Sequence, residues 1–149
     1  MIALDFDFSA LEDYGETLAR ALVPTPADLE LGADELRRRI LDRTARGIDA
    51  SGQPFEPYST SHARRRESRG FSSSRVDLEF SGQMLDAMES GAGKGGALRV
   101  GFSDSRQAKK AFWHQIGAGD LPARDFMRAN DEDIDAVMAI LIDRMLARI

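Results

Sequence analysis

The residues able to do chemistry are few. His62 and His114 are the only histidines in a chain of 149 residues, and cysteine is absent. Thiol catalysis, disulfide scaffolds, cysteine-ligated metal centres and multi-histidine metal sites therefore fall away. Around His114 stand Ser103, Asp104, Ser105 and Asp120, which could supply a nucleophile and an acid–base pair for a small hydrolase. They lack a nucleophile elbow and any triad context, so packing or hydrogen bonding is the simpler role for His114. Asp131, Glu132, Asp133 and Asp135 resemble a metal cluster only by number; ahead of an apolar helical run, they complement the dipole at a helix start. Gly91 to Gly96 contains four glycines and Lys94. It lacks the G-x-x-x-x-G-K-[ST] spacing and no helix follows at once, so a hairpin-type connection is expected and not a phosphate loop. No catalytic residue, metal or cofactor is expected.

The sharpest electrostatic feature is Arg64-Arg65-Arg66 with Arg69 and Arg75. Such a cluster contacts phosphates or an acidic partner surface, or simply stands solvated in a loop. The formal net charge of −5 divides into −8 over residues 1–36, +6 over 37–110 and −3 over 111–149. An acidic chain with a basic middle is a poor match to a free duplex binder, whose positive charge covers the whole domain. It matches better a protein whose surfaces of opposite sign meet between copies. The first eight residues hold Asp5 and Asp7 and no base, unlike a signal peptide, and the longest apolar run, Ala136 to Ile142, is far below the ~20 residues that span a bilayer. The chain is expected to be cytoplasm-made, with no membrane partner.

The elements that must position these residues fit one domain over 1–149. Ile2 to Phe8 reads as a short strand or extended arm. Ser9 and Glu12 form a capping box for a helix with the apolar stripe Leu11, Tyr14, Leu18, Ala21 and Leu22, stopped by Pro24 and Pro26. A second helix is expected from about Asp34 to Arg46, burying Leu36, Ile40 and Leu41, presenting Arg37, Arg38, Arg39, Arg43 and Arg46 on its other face, and ending at a left-handed Gly47. Turns follow to Ser59, anchored by Phe55 and Tyr58. Residues 60–75 read as a short helix running into a mobile Arg/Ser-rich loop. Val76 to Phe80 alternates as a strand, and Leu98, Val100 and Phe102 offer its hairpin partner. Between them lies a short helix after Ser81-Gly82, with Met84, Leu85 and Met88 inward. Ser103 or Ser105 caps a helix running to Gly117, residues 121–127 are extended, and Asn130 or Asp131 opens a long last helix. Its inward stripe is Ile134, Val137, Met138, Leu141, Ile142, Met145 and Ile149. The fold class is α+β: a small antiparallel sheet of three to four short strands packed with three to four helices.

One series of residues resembles a known family. Gly47, Gly52 and Phe55-x-Pro57, then Leu78 and Ser81-Gly82-Gln83-Met84-Leu85, then Val100-Gly101, Ala111-Phe112-Trp113-His114-Gln115-Ile116-Gly117 and Leu121-Pro122-Ala123-Arg124-Asp125-Phe126-Met127 are similar to the phage virion morphogenesis proteins. These are tail-completion or neck proteins of tailed phages, including Mu-like prophages. The similarity runs from about residue 33 to the end. Asp125 stands where many relatives have Pro.

The resemblance implies a structural virion protein and not an enzyme. It would act at the head–tail junction in a ring of copies, bind other tail and head-completion proteins, and come into transient proximity to DNA. Its place would be the virion neck, after assembly in the host cytoplasm. Trp113, His114, Gln115, Arg124, Arg64, Arg65, Arg66 and Arg69 are the candidate interface residues. Arg124 suits a bidentate contact with a carboxylate of its own or a neighbouring subunit. Gly47, Gly52, Phe55, Pro57, Gly82, Gly117, Pro122 and Phe126 are the candidate turns and anchors. The alternative is a nucleic-acid-binding module on the Arg64–Arg75 segment.

Overall fold

Thr25 and Pro26 set the longest element. The Thr25 hydroxyl accepts the Asp28 N–H at 3.3 Å while Asp28 accepts the Thr25 N–H at 2.8 Å. Pro26 fills the first turn, where its missing N–H has no helical partner to lose. Helix α2 therefore runs Pro26–Ala45, eight residues earlier than the expected start at Asp34. The proline read as a stop for one helix is also the start of the next. The computed structural model describes residues 9–149, with side chains from Asp13 onward. The expected strand or arm at Ile2–Phe8 and the side chains of the Ser9/Glu12 capping box lie outside the described residues. Helix α1 is Ser9–Ala21; of its expected apolar stripe Tyr14 and Leu22 are exposed, Leu18 and Ala21 half-buried.

Helix α6, Asp131–Leu146, packs along α2. Gly32 permits the approach: a Cβ there would stand 3.3 Å from Val137 and 3.4 Å from Leu98. Leu29, Val137 and Leu141 form this small core with Leu36, Leu98 and Met145 around it. Each well-buried aliphatic chain contributes about 1.5–3 kcal/mol. Both ends of the packed pair are pinned by buried charge. Asp28 accepts from Arg144 at 3.2 Å and Arg148 at 2.5 Å, and the Thr25 N–H, then Arg148, hold its carboxyl well below the usual range. At the other end Asp133 accepts from Arg43 at 2.5 Å and Arg39 at 2.9 Å, and closes a capping box with Asn130.

The α6 stripe is half as wide as expected. Val137 and Leu141 are buried, whereas Ile134, Met138, Ile142 and Ile149 are exposed. With α2 on one side only, the buried row is Asp133-Val137-Leu141, and the adjacent row faces outward.

The remaining helices are α3, Thr60–Glu67, α4, Gln83–Asp86, and α5, Ser105–Ile116. The described residues hold six helices, more than the expected three to four; four have 12 or more residues, and the two short ones fall where short helices were expected. Asp104 caps α5, accepting the Arg106 and Gln107 N–H groups, so neither Ser103 nor Ser105 does. The larger core gathers Ile40, Phe55, Val76, Leu78, Met84, Met88, Ala111 and Phe126.

The sheet has two strands among the described residues, β1, Glu89–Ala92, and β2, Leu98–Gly101, antiparallel with Ser90 opposite Val100. The expected three to four strands are not present among the described residues, and the partner of β2 is the glycine-bearing segment 89–92 and not 76–80. Residues 76–80 keep the alternation, with Val76 and Leu78 buried, yet form no strand. Leu78 adopts φ +56°, and the backbone is held by a side chain: Arg66 donates to the Glu79 carbonyl and, at 2.8 Å, to that of Ser72. Alternation marks a half-buried extended chain; a strand also needs a neighbour.

Candidate functional site

The site is built where α5 ends and the chain folds back. Gly117 stops the helix at φ +70°, and a Cβ on it would lie 2.8 Å from the Ala123 nitrogen and 2.9 Å from the Leu121 oxygen. Only glycine fits both the left-handed backbone and that approach. The returning strand of chain is then clamped. The Arg124 N–H donates to the His114 carbonyl at 2.7 Å. Gln115 accepts the Met127 N–H at 3.0 Å and donates to Asp125, and Phe126 is fully buried in the core.

Arg124 is thereby drawn inside, 3% exposed. Its Nε and Nη2 donate to the Glu56 carbonyl at 3.2 and 2.9 Å, and Nη2 also reaches the Pro57 carbonyl at 3.3 Å. The expected carboxylate within its own chain is not its partner; three contacts to backbone oxygens take that place. Burial pushes the guanidinium below its usual value, and the nearby Tyr58 and Glu56 oppose that only in part. Phe55, buried at the head of this segment, donates its N–H to the Gly47 carbonyl at 2.8 Å. Gly47, Gly52 and Gly82 all take positive φ, as turn and cap positions require.

The arginine run divides by direction. Arg66 turns inward: it binds both Asp77 oxygens at 3.1 and 3.2 Å and lies 4.7 Å from the centre of the Tyr58 ring. Arg124 stands 5.5 Å from the same ring, so Tyr58 joins two buried cations. Burial, then Asp77, pushes the Tyr58 hydroxyl up, and that hydroxyl donates to Asp77 at 3.1 Å. Arg65 and Arg69 stay exposed over the Phe80 ring, at 5.5 and 5.1 Å. Arg64 is exposed, and Arg64, Arg65 and Arg69 make no ion pair among the described residues. Residues 68–75 follow α3 without helix or strand.

Between α3 and the returning chain lies an open cleft of about 590 Å³. It holds both histidines, with Tyr58, Ser59, Arg65, Asp120, Leu121, Pro122 and Arg124. Burial lowers the pKa of His114, reinforced by Arg124 and His62; burial, then Arg66, Arg65 and Arg124, lowers that of His62. Both rings are therefore neutral at pH 7. His114 Nδ1 is buried with no hydrogen-bond partner. Asp120 shares the cleft but makes no hydrogen bond to His114 among the described residues. Ser103 instead donates to Glu89 at 2.6 Å, at the far end of α5. The hydrolase components are thus dispersed. Among the described residues no three His, Asp or Glu side chains stand close enough to hold a metal.

Trp113 is exposed and is not among the residues that line the cleft. With Phe112 at 57% and Ile116 at 53% exposure it forms an outward apolar face on α5, and Lys109 lies 5.0 Å over its ring. The helix carries Arg106, Lys109 and Lys110 and no acid. The outer row of α6, Ile134, Met138 and Ile142, is bordered by exposed Asp131, Glu132, Asp135 and Asp143. No helix among the described residues is long and apolar enough to cross a membrane.

No family model, no curated protein and no solved structure matches the chain. The reading of function therefore rests on these residues. Sequence reasoning missed the cleft that His62 and His114 share, and the Arg43–Asp133 and Asp28–Arg148 ion pairs. The i, i+3 spacing of Ser59 and His62, a helix cap followed by a first-turn histidine, was the available signal for His62.

Proposed function

We propose that this chain is a structural subunit of a tailed phage or prophage-derived particle, acting in tail completion at the head–tail junction through head-to-tail contacts between copies. The observation that carries the reading is the pair of exposed apolar faces of opposite charge, α5 with its cations and α6 with its carboxylates. Two different patches on one molecule are what a ring or a stack requires, because each copy then offers one face and accepts on the other. Apolar surface supplies the contact energy, and the charges fix which face meets which.

The motif series from Gly47 to Met127 supports the same reading. Its glycines, prolines and buried Phe126 shape the turn that ends α5 and so orient the Phe112-Trp113-Ile116 face. The basic middle contributes less free charge than its +6 implies, since Arg38, Arg39, Arg43 and Arg66 pair within the fold. That leaves α5 and α6, and not the 37–46 arginine face, as the complementary surfaces. The nucleic-acid alternative likewise loses Arg66 to the interior.

Removing the coding segment from a phage or inducible prophage that carries it tests the role. Filled heads and full-length tails that fail to join are expected under electron microscopy; normal virions would overturn it.

A further inference from the structure

We propose that the Tyr58–His62–His114–Arg124 cleft is a binding site for a phosphate monoester with an apolar or aromatic body. The inference is independent of the assembly role, since neither apolar face takes part in it.

Four observations converge. The first is a buried cation that forms no ion pair among the described residues, although Glu56 lies near enough to act on it. Arg124 spends Nε and Nη2 on carbonyls, and Nη1 has no hydrogen bond among the described residues. Nη1 is not among the atoms sealed from solvent, and Arg124 lines this cleft. A guanidinium so placed has one direction left in which to find an anion. The second is the start of α3. Ser59 caps the helix by accepting the His62 N–H at 3.3 Å, and Ser59, Ser61 and His62 all line the cleft. The first turn thus presents its positive dipole end to the space that Arg124 faces from the other wall. The third is Arg65, one turn further along α3, exposed and without a carboxylate. The fourth is the imidazole pair. His62 and His114 are held neutral by burial and by the surrounding arginines, and an arriving dianion reverses that field, so that each ring can add a proton and donate to it.

A phosphate dianion suits this set better than a carboxylate. Its three terminal oxygens can meet donors from Arg124, Arg65 and the serine and histidine groups of α3 together, whereas a planar carboxylate meets two. The organic body has a place too: Tyr58, Leu121 and Pro122 line the same space with apolar surface. Asp120 is the one carboxylate of the lining and is exposed, so it stays in solvent.

Isothermal titration of the full chain with inorganic phosphate, phenyl phosphate and benzoate tests the proposal. Saturable binding is expected in the order phenyl phosphate, inorganic phosphate, benzoate. Arg65→Ala, an exposed change, should weaken both phosphates about tenfold, the loss of one charged hydrogen-bonding group, with unchanged circular dichroism and melting. Arg124→Lys keeps the charge but loses the fork and should weaken them further; should it fail to fold, Arg65→Ala still decides. Histidine ring signals in the NMR spectrum should titrate at higher pH when phenyl phosphate is bound. Absence of saturable binding, or phosphate binding indifferent to Arg65→Ala, overturns the site. Benzoate binding as tightly as phenyl phosphate overturns its phosphate preference, and equal binding of the two phosphates overturns the place assigned to the organic body.

Discussion

The Arg43 guanidinium of α2 donates to the Asp133 carboxylate of α6 at 2.5 Å, with both side chains almost wholly buried. Asp133 also accepts from Arg39 and from the Asn130 N–H at 3.1 Å, so one carboxylate joins two helices and caps one of them. Burial pushes its pKa up, and the Arg43, Asn130 and Arg39 bonds outweigh that and hold it below the ordinary 3.8.

Removing one member of such a pair leaves the other charge buried alone. Asp133→Asn is expected to cost about 3–5 kcal/mol in urea unfolding. In the parent the contribution is complete above the unfolded pKa and is lost only as pH falls through the lower, folded one. Acid unfolding driven by this group should therefore begin below pH 3.8. A loss near zero for Asp133→Asn would show that the pair is replaceable.

The two cleft histidines give a second pH dependence, in a different window. Their folded pKa values lie below the ordinary 6.5, so below about pH 6.5 the unfolded state binds more protons than the folded one, and stability falls as pH drops. The urea midpoint should be lower at about pH 5.5 than at about pH 7.5. The double variant His62→Gln, His114→Gln should remove most of that slope, and an unchanged slope would assign it to other groups.

Gly117 and Gly119 separate two kinds of glycine requirement. Both have positive φ, but a Cβ at Gly119 meets open space while one at Gly117 strikes backbone within 2.9 Å. Gly119→Ala should cost about 1 kcal/mol, and Gly117→Ala about 3 kcal/mol or more. Equal thermal shifts for the two would contradict the tight reversal.

Much of this was legible beforehand, and the failures have physical causes. The caps of α6, the positive φ at Gly47 and the anchoring of Phe126 follow from local chemistry that sequence displays directly. The strand expected at Val76–Phe80 failed because its burial pattern is real but its partner is the Arg66 side chain. The start of α2 is masked in the sequence because Pro26, which ends one helical run, also fills the first turn of the next. Hydrophobicity does not separate a core row from an exposed one on α6: Met138 and Val137 are adjacent and both apolar, yet Met138 is 45% exposed and Val137 6%. The cleft was invisible because its walls, Tyr58 to Arg65 and His114 to Arg124, meet only after the turn at Gly117 closes.

In the proposed assembly, association between copies should weaken as salt rises past about 0.1 M, where the Debye length is about 10 Å, because the charged groups of α5 and α6 lie at the surface. Light scattering across a salt series measures it. Association that strengthens with salt would assign the contact to the apolar rows alone.

The central claim is that one copy's α5 face meets another's α6 face. Analytical ultracentrifugation of two variants tests it most directly: Phe112→Glu with Ile116→Glu, which blocks α5, and Met138→Lys with Ile142→Lys, which blocks α6. All four residues are exposed, so both variants should fold. Each alone is expected to sediment as a monomer, and an equimolar mixture as a dimer, since one intact face of each kind remains. A mixture that stays monomeric, or a single variant that still assembles, would contradict the account.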